Sequence, residues 1–134
     1  MPLQTHPDLI IVSFDLYIEG KDEPQIIPVD GQDEIHIAVP GGVKYYIKLN
    51  FKVKNRKLED LNYKQIVKKG GVTIRTREVK LGSYEPSEEI RSVDFPEDET
   101  PGGWLMRGTY YATSYYTAGS ETLMVSDWTL EITK

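Results

Sequence analysis

A chain of 134 residues with 39% apolar side chains, 3 Phe, 9 Tyr and 2 Trp has the length and ring content for a single globular domain with one core, and too much of both for disorder. It has no Cys, which excludes disulfide scaffolds, cysteine-based zinc sites and thiol nucleophiles. The net charge of -5 disfavours a uniformly basic nucleic-acid binder, but Lys44 to Lys80 holds twelve bases against three acids and the rest holds four against eighteen, so a bipolar surface is expected.

The first residues lack the basic start and apolar run of a signal peptide, and no stretch reaches the roughly 18 apolar residues of a membrane span, so a soluble cytoplasmic protein with residues 1–8 frayed is expected. Ile10, Val12, Phe14, Leu16 and Ile18 alternate with Ile11, Ser13, Asp15 and Tyr17, the period-two pattern of a strand with one buried face. Gln25 to Val29 and Glu34 to Val39 are shorter strand candidates. The most regular strand runs from Val43 to Val53, with Tyr45, Ile47, Leu49 and Phe51 on one face and Lys44, Lys48 and Lys52 on the other. Leu61 to Lys68 and Val72 to Leu81 follow, and a phase slip between Thr76 and Val79 predicts a bulge there. Only Asn55 to Leu61 and Pro86 to Arg91 have room for a helical turn. Glu85 to Glu99 reads as an acidic connection. Arg107 to Thr117 and Met124 to Ile132 complete the strands, and Tyr110, Tyr111, Tyr115 and Tyr116 fall on both faces of the former. Gly and Pro pairs at Pro40-Gly41-Gly42, Gly70-Gly71 and Pro101-Gly102-Gly103 punctuate these runs and favour an antiparallel sandwich over a βαβ fold.

Chemistry-bearing motifs are sparse. His6 and His36 lie thirty residues apart and read as ordinary surface histidines. There is no nucleophile elbow, P-loop or dinucleotide fingerprint, so a binding module with no catalytic residue, metal or cofactor is expected rather than an enzyme. Lys44, Lys48, Lys52, Lys54, Arg56 and Lys57 read as a solvated face whose lysines oppose edge pairing, ahead of a contact for phosphates or anionic lipid. The acidic segment could equally draw a basic peptide or only solubilise the chain.

Four stretches in register resemble the C-terminal immunoglobulin-like domain of the Rho GDP-dissociation inhibitors. They are Gly42-Val43-Lys44-Tyr45-Tyr46-Ile47 and its continuation to Val53, Gly82-Ser83-Tyr84-Glu85-Pro86, Pro101-Gly102-Gly103-Trp104-Leu105-Met106-Arg107-Gly108-Thr109-Tyr110, and Trp128-Thr129-Leu130-Glu131-Ile132. The resemblance covers residues 7 to 134 and implies an all-β immunoglobulin-like sandwich with a prenyl-binding slot between its sheets, here one domain over residues 1–134. The implied partner is a GDP-bound, prenylated Rho-family GTPase, extracted from the membrane by its geranylgeranyl tail and kept soluble by a monomeric inhibitor that touches the membrane only transiently and binds no nucleic acid. Carried over by position, the resemblance gives Leu16, Ile37, Tyr45, Leu58, Leu61 and Trp128 as prenyl contacts, and Glu85, Glu88, Glu89 and Glu121 as GTPase contacts. Lys57 stands where the family has an apolar residue, so Leu58 takes its place by a one-residue slip or the slot narrows. The Thr117 to Thr122 hairpin keeps only Glu121, and the family's acidic N-terminal arm has no counterpart, so a complete chain of this kind is expected to bind prenyl groups but to slow GDP release poorly. The alternatives are a general lipid carrier resembling the phosphodiesterase delta-subunit group, or a scaffold sandwich.

Overall fold

A computed structural model describes residues 5–32, 34–103 and 106–134; Trp104 and Leu105 of the third stretch above lie outside them. Among the described residues ten strands form, in chain order: β1 (Leu9–Ile18), β2 (Gln25–Pro28), β3 (His36–Pro40), β4 (Lys44–Val53), β5 (Leu58–Lys69), β6 (Val72–Tyr84), β7 (Arg91–Asp94), β8 (Asp98–Glu99), β9 (Gly108–Ala118) and β10 (Glu121–Thr133). One sheet runs β2-β1-β4-β7 with β8 also on β4, and the other runs β3-β10-β9-β5-β6. The pair is the expected all-β sandwich. All pairings among the described residues are antiparallel except β3 with β10, which is parallel, an arrangement their long connection permits and a hairpin would not. No described helix is long and apolar enough to cross a membrane.

The core lies between the sheets, where the inward alternation of each strand meets that of the other sheet. Leu49, Phe51 and Val53 of β4 face Leu58, Leu61 and Tyr63 of β5, all nearly without solvent exposure. Tyr63 packs against Phe14, Phe95 and Tyr116, at ring-centroid separations of 6.4, 5.0 and 5.3 Å. The β3–β4 turn fits closely against residues 101–102: a Cβ on Gly41 would come within 2.8 Å of the Pro101 carbonyl oxygen, so only glycine serves.

Several sequence expectations are corrected. The acidic connection carries β7 and β8, which pair with β4 from Lys48 to Phe51 and at Lys44 and Tyr45. The basic strand β4 is therefore interior, and its lysines guard no edge. Neither Asn55 to Leu61 nor Pro86 to Arg91 is helical; Asn55 and Asp60 instead take positive φ, of 65° and 52°. No slip falls between Thr76 and Val79: the register shifts before it, where Val67 pairs with Arg75 and Lys68 with Thr73 and Ile74 is the extra residue, and after it, where Asn62 pairs with Lys80 and Leu61 with Gly82 and Leu81 is left over. The apolar residues Val72 and Ile74 are simply exposed beyond the core, which is why periodicity misplaced the slip.

Phe51 has no exposure and stacks edge-on against Tyr84 at 5.2 Å. Phe51→Ala is expected to cost about 3–5 kcal/mol of unfolding free energy in a urea titration, and a loss below about 1 kcal/mol would show that β4 is not the centre of the core.

Candidate functional site

The inward face of β9 reads Tyr110, Ala112, Ser114, Tyr116, and that of β10 reads Met124, Ser126, Trp128. Register places Ser126 beside Ser114, and Ser114 beside Gln65 of β5. Two side chains of two heavy atoms therefore stand side by side where apolar groups fill the rest of the layer, and they cannot reach the opposite sheet. A cavity of about 180 Å³ remains. Leu9, Ile11 and Phe14 of β1, Ile47 of β4 and Met124 and Trp128 of β10 supply apolar wall, and Ile35 and Ile37 close one flank. Thr5, Asp30, Gly31 and Gln32 are exposed and mark the side on which the cavity meets solvent, between β2 and β3.

The floor is polar but largely satisfied. The Trp128 indole donates to Ser114 Oγ at 2.9 Å, Ser114 and Tyr63 hydroxyls are 2.8 Å apart, and Tyr63 donates to Gln65 Oε1 at 2.8 Å. Burial pushes the Tyr63 phenol well above its ordinary value, although the bond to Ser114 works against this, and burial does the same to Tyr116.

Of the six apolar residues expected to touch a ligand, Ile37 and Trp128 line the cavity. Leu16 is buried in the adjoining core as the register partner of Ile47. Tyr45 packs against the core and donates to Asp98 at 3.4 Å; burial, then the Asp98 charge, raise its pKa. Leu58 and Leu61 are core residues at the far end of β5. Lys57 points outward to Glu59 and Glu85 at 3.5 and 3.7 Å, while Leu58 is fully buried in the core and does not line the cavity. Sequence reading missed Tyr63, Gln65 and Ser114; the available signal was a hydroxyl in phase with Tyr110, Ala112 and Tyr116. Of the histidines, His6 lies at the cavity's solvent side and His36 bonds Thr129 on the outer face.

The acids are engaged within the chain. Glu88 holds Lys54 at 2.6 Å, Glu85 faces Lys57, and Glu121 takes two N–H bonds from Arg56, at 3.1 and 2.9 Å, while Arg56 Nε reaches Asp8 at 2.7 Å. Glu89 has no ion pair among the described residues, and its backbone N–H goes to Ser87 Oγ. Asp98 receives Arg75 at 2.9 Å and Arg77 at 3.6 Å. Folding thus sets much of the basic segment against the acids outside it, and the expected two poles are partly neutralised.

Arg56, then Asn55, hold the Asp8 carboxyl below its ordinary 3.8, and Lys54 holds Glu88 below its ordinary 4.5. Carboxyls depressed in the folded state add stability that is complete above those ordinary values and is lost as the pH falls through the folded ones. Thermal melts from pH 7 to pH 2 are expected to show Tm falling below about pH 4.5, with a shallower fall in Asp8→Asn; parallel acid limbs would show that the Arg56 contact contributes nothing.

The model of the RHO protein GDP dissociation inhibitor family matches residues 3–134. The chain is 30% identical over 131 residues to a probable rho GDP-dissociation inhibitor of Caenorhabditis elegans, covering 94% of this chain and 69% of that protein. It is 35% identical over 94 residues to the Rho GDP-dissociation inhibitor of Saccharomyces cerevisiae, covering 67% and 46%, and 29% identical over 133 residues to human Rho GDP-dissociation inhibitor 1, covering 96% and 65%. The matches thus span about half to two thirds of these relatives' length. Among solved structures, the C-terminal domain of wzt superposes with a TM-score of 0.65 at 12% identity, covering 98% of this chain and 77% of that one, a likeness of fold alone.

Proposed function

The chain belongs to the Rho GDP-dissociation inhibitor family, and on that premise we propose that it encloses the geranylgeranyl tail of a GDP-bound Rho-family GTPase between its sheets. It acts by binding, as a monomer in the cytosol, with no chemical step and only passing contact with the membrane. The observation that carries this reading is the apolar cavity left by Ser114 and Ser126 and walled by Ile37, Ile47 and Trp128. Burying an isoprenoid gains about 0.8 kcal/mol per CH₂-sized group, which roughly matches what the bilayer gives up, so net extraction rests on contacts to the protein part.

An engineered apolar cavity of about 150 Å³ takes up benzene. The 180 Å³ here suits the first part of a prenyl chain, and a longer chain has to widen it. Two directions are open. One passes Ile47 towards Leu16 and Tyr45; the other passes Tyr63 and Tyr116 towards Leu58 and Leu61. Register favours the first, because Leu16 is the cross-strand partner of Ile47. In the second, the packed rings of Tyr63, Tyr116 and Phe95 have to separate, and Leu58 and Leu61 then become the distal contacts. Glu89 is the acid with an uncommitted carboxylate among the four proposed to meet a basic stretch on the GTPase, whereas Glu85, Glu88 and Glu121 would first exchange their own cations.

A geranylgeranylated cysteine peptide is expected to change Trp128 emission, and the unmodified peptide is not. Ile37→Asp is expected to weaken lipid binding at least about tenfold, since one charge next to an apolar ligand costs more than 1.4 kcal/mol. Thermal melts of the variant separate lost binding from lost folding. An identical response to both peptides would overturn the assignment. Release of prenylated Rho, Ras and myristoylated peptides alike from vesicles would replace it with a general carrier.

A further inference from the structure

The cavity floor carries a hydrogen-bond chain with a direction. An indole nitrogen can only donate, so Trp128 fixes Ser114 Oγ as acceptor. The Tyr63 hydroxyl has one proton and gives it to Gln65 Oε1, so the Ser114 proton points to Tyr63. The chain runs Trp128, Ser114, Tyr63, Gln65, and it ends by holding the Gln65 carboxamide with its oxygen committed. The two Nε2 protons are left over. Gln65 is 8% exposed and lines the cavity, and its Nε2 has no hydrogen-bond partner among the described residues, yet it is not among the fully enclosed unpaired atoms. That combination leaves the amide facing the cavity space. An unspent donor in an apolar enclosure costs free energy until an acceptor meets it.

We infer that Gln65 Nε2 is a ligand-recognition group: the cavity selects an apolar chain that carries a neutral hydrogen-bond-accepting oxygen over a plain hydrocarbon of the same size. This rests on the lipid-binding reading above and adds a polarity requirement to it. The acceptor must be neutral because no Lys or Arg among the described residues lines the cavity, and its titratable lining groups, His6 and Asp30, both stand at the solvent side away from Gln65, so a carboxylate at the floor would enter without a counter-charge. An ester or amide carbonyl meets both conditions.

The test titrates the full chain with farnesyl acetate, with a branched polyene hydrocarbon of equal carbon number and with farnesoic acid at pH 8, using calorimetry. The ester is expected to bind roughly three- to tenfold more tightly than the hydrocarbon, the range a single neutral hydrogen bond gives, and the ionised acid more weakly than the ester. In Gln65→Met, which removes the donor together with the oxygen that accepts from Tyr63, the ester-to-hydrocarbon affinity ratio is expected to fall to about one, read within the variant so that a change common to both ligands cancels. A second readout needs no variant: the Gln65 side-chain amide protons should move downfield in NMR spectra with the ester and stay in place with the hydrocarbon. Ester and hydrocarbon binding alike, with unmoved Gln65 protons, would overturn this inference and leave the lipid slot standing. If none of the probes binds and the geranylgeranylated peptide also fails, the slot itself is refuted and this inference with it.

Discussion

Three cross-strand neighbours, Ser126, Ser114 and Gln65, set the character of this sandwich. Elsewhere along the inner faces, mostly apolar side chains meet across the gap and exclude solvent. At this row two hydroxyls and an amide replace them, so the layers stay apart and polar groups lie inside. Such an arrangement would be unstable if those groups were unpaired, because each buried polar atom without a partner costs on the order of 1–3 kcal/mol. The bonds from Trp128 through Tyr63 answer that cost for the Ser114 hydroxyl and the Gln65 oxygen. The same bonds fix the rings that form the cavity wall, so the void and the means of tolerating it come from one set of residues.

Much of the fold is legible in the chain because its strands are half-buried and largely alternate, as β4 does from Leu49 to Val53; in β1 a register shift between Ile11 and Ser13 buries Leu9 and Ile11 with Phe14 and Leu16 in place of the expected Ile10 and Val12. β7 and β8 were hidden because Arg91–Asp94 and Asp98–Glu99 carry too few apolar residues to alternate, and their pairing is imposed by β4. The Ile74 bulge was misplaced for a related reason, since apolar side chains beyond the core obey no facing rule. The site was read in part. Ile37 and Trp128 came from the family resemblance, and Trp128 also from its phase. The polar floor escaped because a serine in phase with tyrosines looks like a neutral substitution until register sets it beside another serine and a glutamine.

The charges show how far pattern in sequence differs from pattern in space. A block of bases and a block of acids in the chain read as two poles, but Lys54, Arg56, Lys57, Arg75 and Arg77 each meet an acid brought in from elsewhere. The exposed pairs, those of Lys54 and Lys57, contribute little individually, whereas Arg77 and Asp98 are largely shielded from solvent. The value of the pairs is positional: Arg56 ties the approach to β1, the β4–β5 turn and the β9–β10 hairpin to one guanidinium.

Asp98 lies in the sheet containing β4, while Arg75 and Arg77 belong to the other, and Arg77 also donates to the Pro96 carbonyl at 2.9 Å. At the opposite margin no ion pair or side-chain hydrogen bond joins β2 to β3 among the described residues. The layers are therefore bound like the covers of a book, with a spine along β6 and β8 and a fore-edge at residues 30–32. The two sheets are thus tied by side-chain ion pairs at the spine and, at the fore-edge, by the chain itself running from β2 to β3.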